Sequence, residues 1–172
     1  TINISSIIKS GFESPKSIST INKIKKACIN IGFFQIVGHG ISKKNIKNIC
    51  NVGNKFFNSS ENNKKKLAPK KWNYKNKNIY RGYFPNDVNG KEGLDIGDLK
   101  VTKKYANIKK KQYIEYINLN KSFDKKSIKI LSKYFDEIFT LGETLFKSII
   151  KLYGKDINNS KLAFSRIKTL ST

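Results

Sequence analysis

Side chains suited to metal or nucleophilic chemistry are scarce, since the chain has one histidine, His39, and two cysteines, Cys28 and Cys50. These three groups have neither the Cys-x-x-Cys nor the histidine spacing of a zinc site. His39 lies between two glycines, where an imidazole more often fixes a turn by hydrogen bonding than binds a metal. We therefore expect His39 to hold a strand-to-helix turn, both thiols to lie in the core, and no residue of this chain to form a metal site.

Two carboxylates, Glu92 and Asp95, form a short acidic stretch. A general acid/base pair is one interpretation, but such a pair needs partner residues that tune each pKa, and no partners support it within this chain. We expect these carboxylates to stabilise loop packing and expect no catalytic residue here.

Lysines and aromatic residues are interleaved between positions 64 and 74. The run consists of Lys64, Lys65, Lys66, Lys70, Lys71, Trp72 and Tyr74. Such a surface can bind single-stranded nucleic acid, because bases stack on aromatic rings while cations contact phosphates. The alternative, a solvated loop, is favoured by the lysine-rich background of the whole chain.

The net charge of +23 would ordinarily indicate an anionic partner. However, only Arg81 and Arg166 are arginines, and a selected phosphate- or base-reading surface uses arginine for its bidentate geometry. Lysine, asparagine and isoleucine all have A/T-rich codons, so codon bias accounts for the composition. We therefore expect no nucleic-acid partner.

Length and hydropathy restrict the class of protein. A chain of 172 residues fits one domain of about 100–200 residues. No apolar run approaches the roughly 18 residues of a membrane span, and the start lacks the apolar core of a signal peptide, so we expect a soluble protein with no membrane partner. Two cysteines are too few for a disulfide framework, which favours the cytoplasm. The absence of methionine, with Thr1 first, predicts that residues precede this sequence.

The first half of the chain predicts short strands and two helices. Ile2 and Ile4 indicate a strand, and residues 11–15 a loop. A helix is predicted from about Ser17 until Gly32, followed by a buried strand at residues 33–37 and a second helix capped by Ser42. The expected inward faces are Ile18, Ile21, Ile24, Cys28 and Ile31 in the first helix, and Ile46, Ile49, Cys50, Val52 and Phe56 or Phe57 in the second.

The second half begins with a polar segment, residues 58–78, which predicts a solvated helical turn and a loop. Short strands are predicted at residues 80–84 and around residues 94–99, separated by a turn near residues 86–90. Apolar residues three and four apart predict one long helix over residues 123–153, ended by Gly154. An alternating segment at residues 161–170 predicts the first strand of a sheet that continues beyond Thr172.

Four segments occur in a characteristic order and spacing. They are Gly32–Ile41 (GFFQIVGHGI), Phe56–Phe57 followed by Lys64, Arg81–Tyr83, and Lys91–Gly97. In this order they resemble the N-terminal region of the isopenicillin N synthase-like iron(II)/2-oxoglutarate-dependent dioxygenases. The resemblance covers about residues 2–170 and is most specific over the first segment. One departure is Gly38, where the family usually has asparagine before His-Gly.

The resemblance implies an α+β fold, the N-terminal helical and strand portion of a double-stranded β-helix (jelly-roll) oxygenase whose catalytic barrel is largely missing. In that family two histidines and one aspartate bind iron, and an Arg-x-Ser pair holds 2-oxoglutarate. This sequence has only His39 and no His-x-Asp or Arg-x-Ser motif. Fe(II) and 2-oxoglutarate are therefore implied for the intact protein, not for this chain alone. Residues 1–160 would form the N-terminal domain, and residues 161–172 would begin the jelly-roll domain.

The resemblance also implies a role for Arg81 and Tyr83. In related enzymes the Gly-Tyr segment lines the mouth of the substrate cavity, and arginine is the side chain that a substrate carboxylate requires. The alternative is that Tyr83 packs under the barrel and Arg81 pairs with one of the few acids. Both interpretations remain open from the sequence.

Two functions follow as hypotheses. The first is the N-terminal part of an iron(II)/2-oxoglutarate-dependent oxygenase that acts on a small molecule by hydroxylation, oxidative cyclisation or desaturation, this chain alone being inactive. The second is a non-catalytic basic binding module, which uses its positive charge to hold an acidic partner or nucleic acid, or a truncated remnant without iron chemistry and with no function of its own.

Overall fold

A computed structural model describes residues 1–87, 90–100 and 117–152. Within these residues the fold is α+β, with helices and short strands, as the family resemblance and the helix pattern imply. In chain order the elements are β1 (Ile2–Asn3), α1 (Ser5–Ser10), α2 (Pro15–Asn30), β2 (Ile36–Val37), α3 (Lys43–Phe57), α4 (Glu61–Lys65), β3 (Gly82–Phe84), β4 (Gly93–Asp95), a 3-10 helix (Leu119–Lys121) and α5 (Lys125–Leu152). The strand expected at residues 161–170 and the helix end expected at Gly154 lie outside the described residues.

The described chain forms two compact units, each with its own apolar core. The first unit comprises residues 1–42 and 136–152, and the second comprises the described residues between 43 and 135. The buried core of the first unit is Ile2, Ile4, Ile7, Ile21 and Ile24. The buried core of the second unit is Val52, Phe56, Leu67, Ala68, Tyr83, Ile117, Leu119 and Leu131. Residues of α5 contribute to both units.

The first unit contains a two-stranded parallel sheet. Ile2 of β1 pairs with Ile36 of β2, and Asn3 pairs with Val37. The backbone N–H of Ile2 donates to the Gln35 carbonyl at 2.7 Å. The strand expected from the Ile2 and Ile4 alternation is therefore confirmed, and both isoleucines are buried.

Helix α2 begins with a serine cap and a proline, a combination that favours helix initiation. The Ser14 side chain accepts the backbone N–H of Ser17 at 3.1 Å, and Pro15 is the first helical residue. The expected helix is confirmed, but the prediction of which residues face inward is partly wrong. Ile18, Cys28 and Ile31 are exposed. Ile18 lies off the buried face, which follows Ser17, Thr20, Ile21 and Ile24, whereas Cys28 lies on that face, four residues beyond Ile24 and near the end of the helix. The Thr20 hydroxyl lies 3.1 Å from the Ser6 hydroxyl, a bond that lets these polar groups be buried.

The buried strand expected at residues 33–37 is wrong in both length and environment. Only Ile36 and Val37 are extended and paired, Phe33 is 74% exposed, and Val37 is exposed as well. An apolar, β-favouring run is buried only when another layer covers it, and β2 has β1 alone as its sheet neighbour among the described residues.

Helix α3 confirms the second expected helix and buries Val52 and Phe56. Ile49 and Phe57 pack against the same core, as predicted. However, Ile46 and Cys50 are exposed, so their expected inward orientation is wrong. Val52 and Phe56 lie four residues apart on one helical face. Cys50 lies beside that face rather than on it.

The segment between α3 and β3 contains the expected helical turn, α4, and the expected loop, but it is solvated only in part. Leu67, Ala68 and Pro69 are fully buried, and Asn76 and Asn78 are 7% exposed. Both asparagines donate to backbone carbonyls of this segment, which satisfies polar groups that burial would otherwise leave unpaired. The polar composition of residues 58–78 therefore supports a buried loop held by side-chain amides.

The second unit contains an antiparallel pair, β3 and β4. Gly82 pairs with Asp95, Tyr83 with Leu94, and Phe84 with Gly93. Both strands fall where the sequence predicts them. The hairpin places the Tyr83 side chain in the core at 1% exposure.

Helix α5 confirms the long helix predicted over residues 123–153. Its start is fixed by Asp124, whose carboxylate accepts the Ser127 backbone N–H at 2.7 Å. This bond, together with Lys55 at 3.2 Å, lowers the pKa of Asp124 to about 2. Along the expected apolar stripe, Leu131 is buried while Ile138 is exposed. No helix among the described residues is long and apolar enough to cross a membrane.

Candidate functional site

The candidate site is a cavity of about 440 Å³ in the second unit, beside β3. Its walls are contributed by α4, β3 and the segments that follow β3 and precede β4. The lining residues are Glu61, Lys64, Lys65, Trp72, Tyr83, Pro85, Asn86, Asp87 and Glu92. Oppositely charged groups and a phenol hydroxyl thus meet in one concave surface.

Lys64, Tyr83 and Glu92 form the central contacts of this cavity. The Lys64 ammonium lies 2.7 Å from Glu92 Oε2, and the Tyr83 hydroxyl donates to the same oxygen at 2.7 Å. Glu61 is a more distant second acid, 3.4 Å from Lys64 Nζ and 3.3 Å from the Tyr83 hydroxyl. Because the phenol has one proton to donate, the shorter contact identifies Glu92 as its main acceptor.

Local structure explains how these three groups meet. Ser60 caps α4 by accepting the Asn63 N–H, which sets Lys64 on the last turn of a one-turn helix. The Tyr83 N–H donates to the Leu67 carbonyl at 3.2 Å, and its ring packs edge-on against Phe56 at 5.9 Å. Glu92 directly precedes β4, whose pairing with β3 brings it alongside Tyr83.

The charges of this cluster are mutually stabilising. The hydrogen bond to Glu92 raises the pKa of Lys64 above its ordinary value, and the hydrogen bonds from Lys64 and then Tyr83 lower the pKa of Glu92. Burial, followed by the bond to Glu92, raises the pKa of Tyr83 to about 12. At neutral pH the cluster therefore holds an ammonium, a carboxylate and a neutral phenol. None of the three is poised to exchange a proton near pH 7, so the arrangement positions β3 and is unsuited to acid/base catalysis.

Alkaline pH should weaken the contribution of Tyr83 to stability. In the unfolded chain the phenol loses its proton near pH 10, whereas in the folded chain it keeps the proton until about pH 12. A raised folded-state pKa means that stability is present below pH 10 and is lost as the pH rises. We expect the difference in unfolding free energy between the parent and Tyr83→Phe to fall by about 1 kcal/mol from pH 10 to pH 11. Urea denaturation of both chains checks this, and a constant difference would contradict it.

Arg81 precedes β3 and is held by a carboxylate of β4. Its Nη1 atom lies 2.8 Å from Asp95 Oδ1, and its side chain is 24% exposed. The guanidinium also lies against the Gly97 backbone, where an added Cβ would come within 3.0 Å of it. Arg81 is not among the residues that line the 440 Å³ cavity, whereas Tyr83 is. Their contact with a substrate stays a prediction, while Glu92 and Asp95 stabilise loop packing as expected.

The basic and aromatic run is largely a solvated loop, the interpretation that the sequence favours, since Lys66, Lys70, Lys71 and Tyr74 are exposed. Lys64 is 8% exposed and paired, so its expected solvation is wrong. The Trp72 indole N–H donates to Asp87 at 2.8 Å, and the Lys71 ammonium lies 4.6 Å from the centre of the Trp72 ring. Trp72 thus makes contacts within the chain that stabilise this loop. One sequence pattern indicates that Lys64 forms an ion pair, namely its i,i+3 spacing from Glu61.

His39 holds a turn, as predicted. Its Nδ1 atom accepts the Ile41 backbone N–H at 3.2 Å, just before α3 begins. The preceding Gly38 has φ +68°, and a Cβ there would overlap the Asn3 side chain. Glycine in place of the usual asparagine at position 38 therefore suits this chain, because the Asn3 side chain occupies the space that a Cβ would need.

The described residues thus have a mainly helical α+β fold, and in the second unit an ion pair and a tyrosine hydroxyl hold a Gly-Tyr strand. The family pattern described as the N-terminal region of non-haem dioxygenases in morphine synthesis matches residues 1–138. The chain belongs to this family of non-haem dioxygenase N-terminal domains, and the resemblance seen in the sequence is confirmed.

Curated relatives are similar over shorter segments. A probable iron/ascorbate oxidoreductase of Dictyostelium discoideum is 38% identical over 88 residues, 44% of this chain and 22% of that protein. The protein DMR6-LIKE OXYGENASE 2 of Arabidopsis thaliana is 38% identical over 52 residues, 30% of this chain and 15% of that protein. A 2-oxoglutarate-dependent dioxygenase of Didymella fabae is 39% identical over 44 residues, 26% of this chain and 13% of that protein. The matched segments therefore span less than a quarter of these relatives.

Proposed function

We propose that the chain is the N-terminal part of a cytoplasmic iron(II)/2-oxoglutarate-dependent oxygenase that oxidises a small molecule by hydroxylation, oxidative cyclisation or desaturation. The observation that carries this proposal is the family match over residues 1–138. In this proposal residues 1–160 form the N-terminal domain, and residues 161–172 begin a jelly-roll domain that holds the catalytic site.

The iron site of such an oxygenase does not fit the residues of this chain. A facial triad needs two histidines and a carboxylate, and the sequence contains only His39. The Nδ1 atom of His39 already accepts the Ile41 N–H. Among the described residues no three histidine, cysteine or acidic side chains are grouped so that they could hold a metal ion. Iron and 2-oxoglutarate would therefore be held by residues that this chain does not supply.

The part played by this chain in the proposed oxygenase is to position one wall of the substrate cavity. Tyr83 and Arg81 are each fixed by a carboxylate, Glu92 and Asp95 respectively. Because this wall is already ordered, it loses little conformational entropy when substrate binds, and it helps to exclude water from the reacting centre. We propose that Arg81 recognises a carboxylate of the substrate and that Tyr83 supports the strand beside it.

The test begins with the transcript beyond the codon for Thr172. We expect an in-frame continuation that encodes a His-x-Asp motif, a second histidine and an Arg-x-Ser motif. The encoded full-length protein should form succinate from 2-oxoglutarate when Fe(II) is added, and the 172-residue chain should not. With carboxylic acids as trial substrates, Arg81→Gln should raise the concentration needed for stimulation about tenfold. A stop codon near Thr172, or decarboxylation by the 172-residue chain itself, would overturn the proposal.

A further inference from the structure

A second cavity, of about 250 Å³, lies in the second unit apart from the Tyr83 cluster. Its lining is basic, because four lysines contribute to it. The lining residues are Lys66, Leu67, Lys75, Asn76, Lys77, Asn78, Ile117, Asn118 and Lys121. None of these side chains is acidic, and the cavity therefore concentrates positive charge in a concave surface.

The wall of this cavity is built from buried, fully used amides. Asn76 is 7% exposed, and its Nδ2 atom donates to the carbonyls of Lys66 at 3.0 Å and Ala68 at 2.6 Å. Its Oδ1 atom accepts from the Lys121 ammonium at 2.9 Å. Asn78, equally buried, donates to the Leu67 carbonyl at 3.4 Å. Lys121 is thus directed by a rigid buried partner and is not a freely rotating surface lysine.

The four ammonium groups lack acidic neighbours in the described part of the chain. There, Lys66, Lys75, Lys77 and Lys121 make no ion pair within 4.0 Å, whereas Lys64, only two residues from Lys66, has Glu92 at 2.7 Å. Three of the four contact uncharged groups. The Lys66 ammonium donates to Asn63 Oδ1 at 3.5 Å, and the Lys121 ammonium donates to Asn76. The Lys75 ammonium lies 5.8 Å from the centre of the Tyr74 ring. Like charges around one cavity without counter-charges repel one another, and a bound anion relieves that repulsion. Lys64 therefore belongs to a structural ion pair, whereas the four lysines of this cavity have no acidic partner among the described residues and are available to an anionic ligand.

The size of the cavity and the chemistry of its lining indicate which class of ligand it would bind. At about 250 Å³ the cavity lies below the roughly 300–1,000 Å³ of pockets that enclose drug-sized molecules. Its lining contains no aromatic ring on which a base could stack, which disfavours single-stranded nucleic acid. Lysines act as point charges toward phosphate oxygens. We propose that this cavity binds a compact phosphate chain, a di- or triphosphate group, either free or as part of a nucleotide.

The test is calorimetric titration of the full chain with inorganic triphosphate at 0.15 M salt, where distant surface charges are screened. We expect saturable binding of one triphosphate per chain. The double variant Lys75→Gln with Lys77→Gln should weaken binding at least tenfold, because two charge-assisted contacts are lost. The matched control, Lys23→Gln with Lys25→Gln on α2, removes the same charge at the same spacing in the first unit and should weaken binding less than threefold.

Two outcomes would overturn the site. They are the absence of saturable binding and equal weakening by the two double variants, because either result would assign the attraction to diffuse charge. Adenosine triphosphate binding more than tenfold tighter than inorganic triphosphate would support a nucleotide as the source of the phosphate chain, with its base recognised as well. Equal affinities for the two ligands would support recognition of the phosphate chain alone. Circular dichroism checks that each variant is folded, and Lys66→Gln with Lys121→Gln provides a second test at the same cavity. Since neither iron nor 2-oxoglutarate is present, the result is independent of the proposed oxygenase function.

Discussion

Gly82→Ala is expected to destabilise the second unit by about 3 kcal/mol or more. Gly82 has φ +119°, a backbone conformation that side chains rarely adopt. A Cβ built there overlaps the Leu67 carbonyl oxygen, which is backbone and accepts the Tyr83 N–H, and it approaches Asn78 Nδ2 to 2.8 Å. Relieving the overlap requires movement of a fully buried loop, so β3 and its pairing with β4 should be disturbed together. Urea denaturation measures the loss.

Gly53→Ala is the matched control for this substitution. Gly53 lies within α3, has no atom within 4 Å of an added Cβ, and has no positive φ. Alanine in such a position should stabilise the chain by about 0.5–1 kcal/mol, because glycine loses more backbone entropy on folding. If both substitutions changed stability by the same amount, the special role of Gly82 would be refuted.

Local patterns predicted the main elements well. The helices over α2, α3 and α5 follow from apolar spacing, and the strands near Tyr83 and Leu94 follow from β-favouring residues beside glycines. Short α1 was not predicted, since Ser5–Ser10 contains one apolar pair and too few residues for a periodicity. These successes depend on interactions within a few residues of the chain.

Burial was predicted less well, because it depends on what covers each element. Cys28 and Cys50 lie on helices with apolar periodicity, yet both are exposed. Phe33 and Val37 have strong β propensity, but no described layer covers them. Propensity specifies a local conformation, whereas burial requires a partner surface that a single segment does not encode.

The candidate functional site shows the same difference between local conformation, which the sequence predicts, and burial, which it does not. The alternatives for Arg81 and Tyr83 could be stated from the sequence, but the burial of Lys64 could not. A lysine inside a run of lysines predicts solvent exposure, and only the approach of Glu92, 28 residues away, makes its burial favourable. The lysine-lined cavity was missed for a related reason, since Lys121 joins Lys66, Lys75 and Lys77 only in the folded chain.

The second large effect is expected for Glu92→Ala. Removing this carboxylate leaves the Lys64 ammonium, whose side chain is 10% exposed, with Glu61 at 3.4 Å as its remaining acidic partner. It also removes the 2.7 Å acceptor of the buried Tyr83 hydroxyl. Breaking a fully buried ion pair costs about 3–5 kcal/mol, and the 31% exposure of Glu92 reduces this, so we expect a loss of about 2 kcal/mol at pH 7.

The pH dependence of the unfolding free energy distinguishes the contribution of the Glu92 charge from the contribution of its packing. The folded-state pKa of Glu92 is lowered, so its contribution is present above pH 4.5, the ordinary value, and is lost as the pH falls through the lower folded-state value. Parent and Glu92→Ala chains should therefore become more similar in unfolding free energy as the pH decreases from 7 to 3. Glu13→Ala is the control, because Glu13 pairs with Lys151 at 80% exposure and should contribute at most about 0.5 kcal/mol. A loss that is equally large at pH 3 and pH 7 would mean that Glu92 acts through packing, and Lys64 would then be stabilised by some other group.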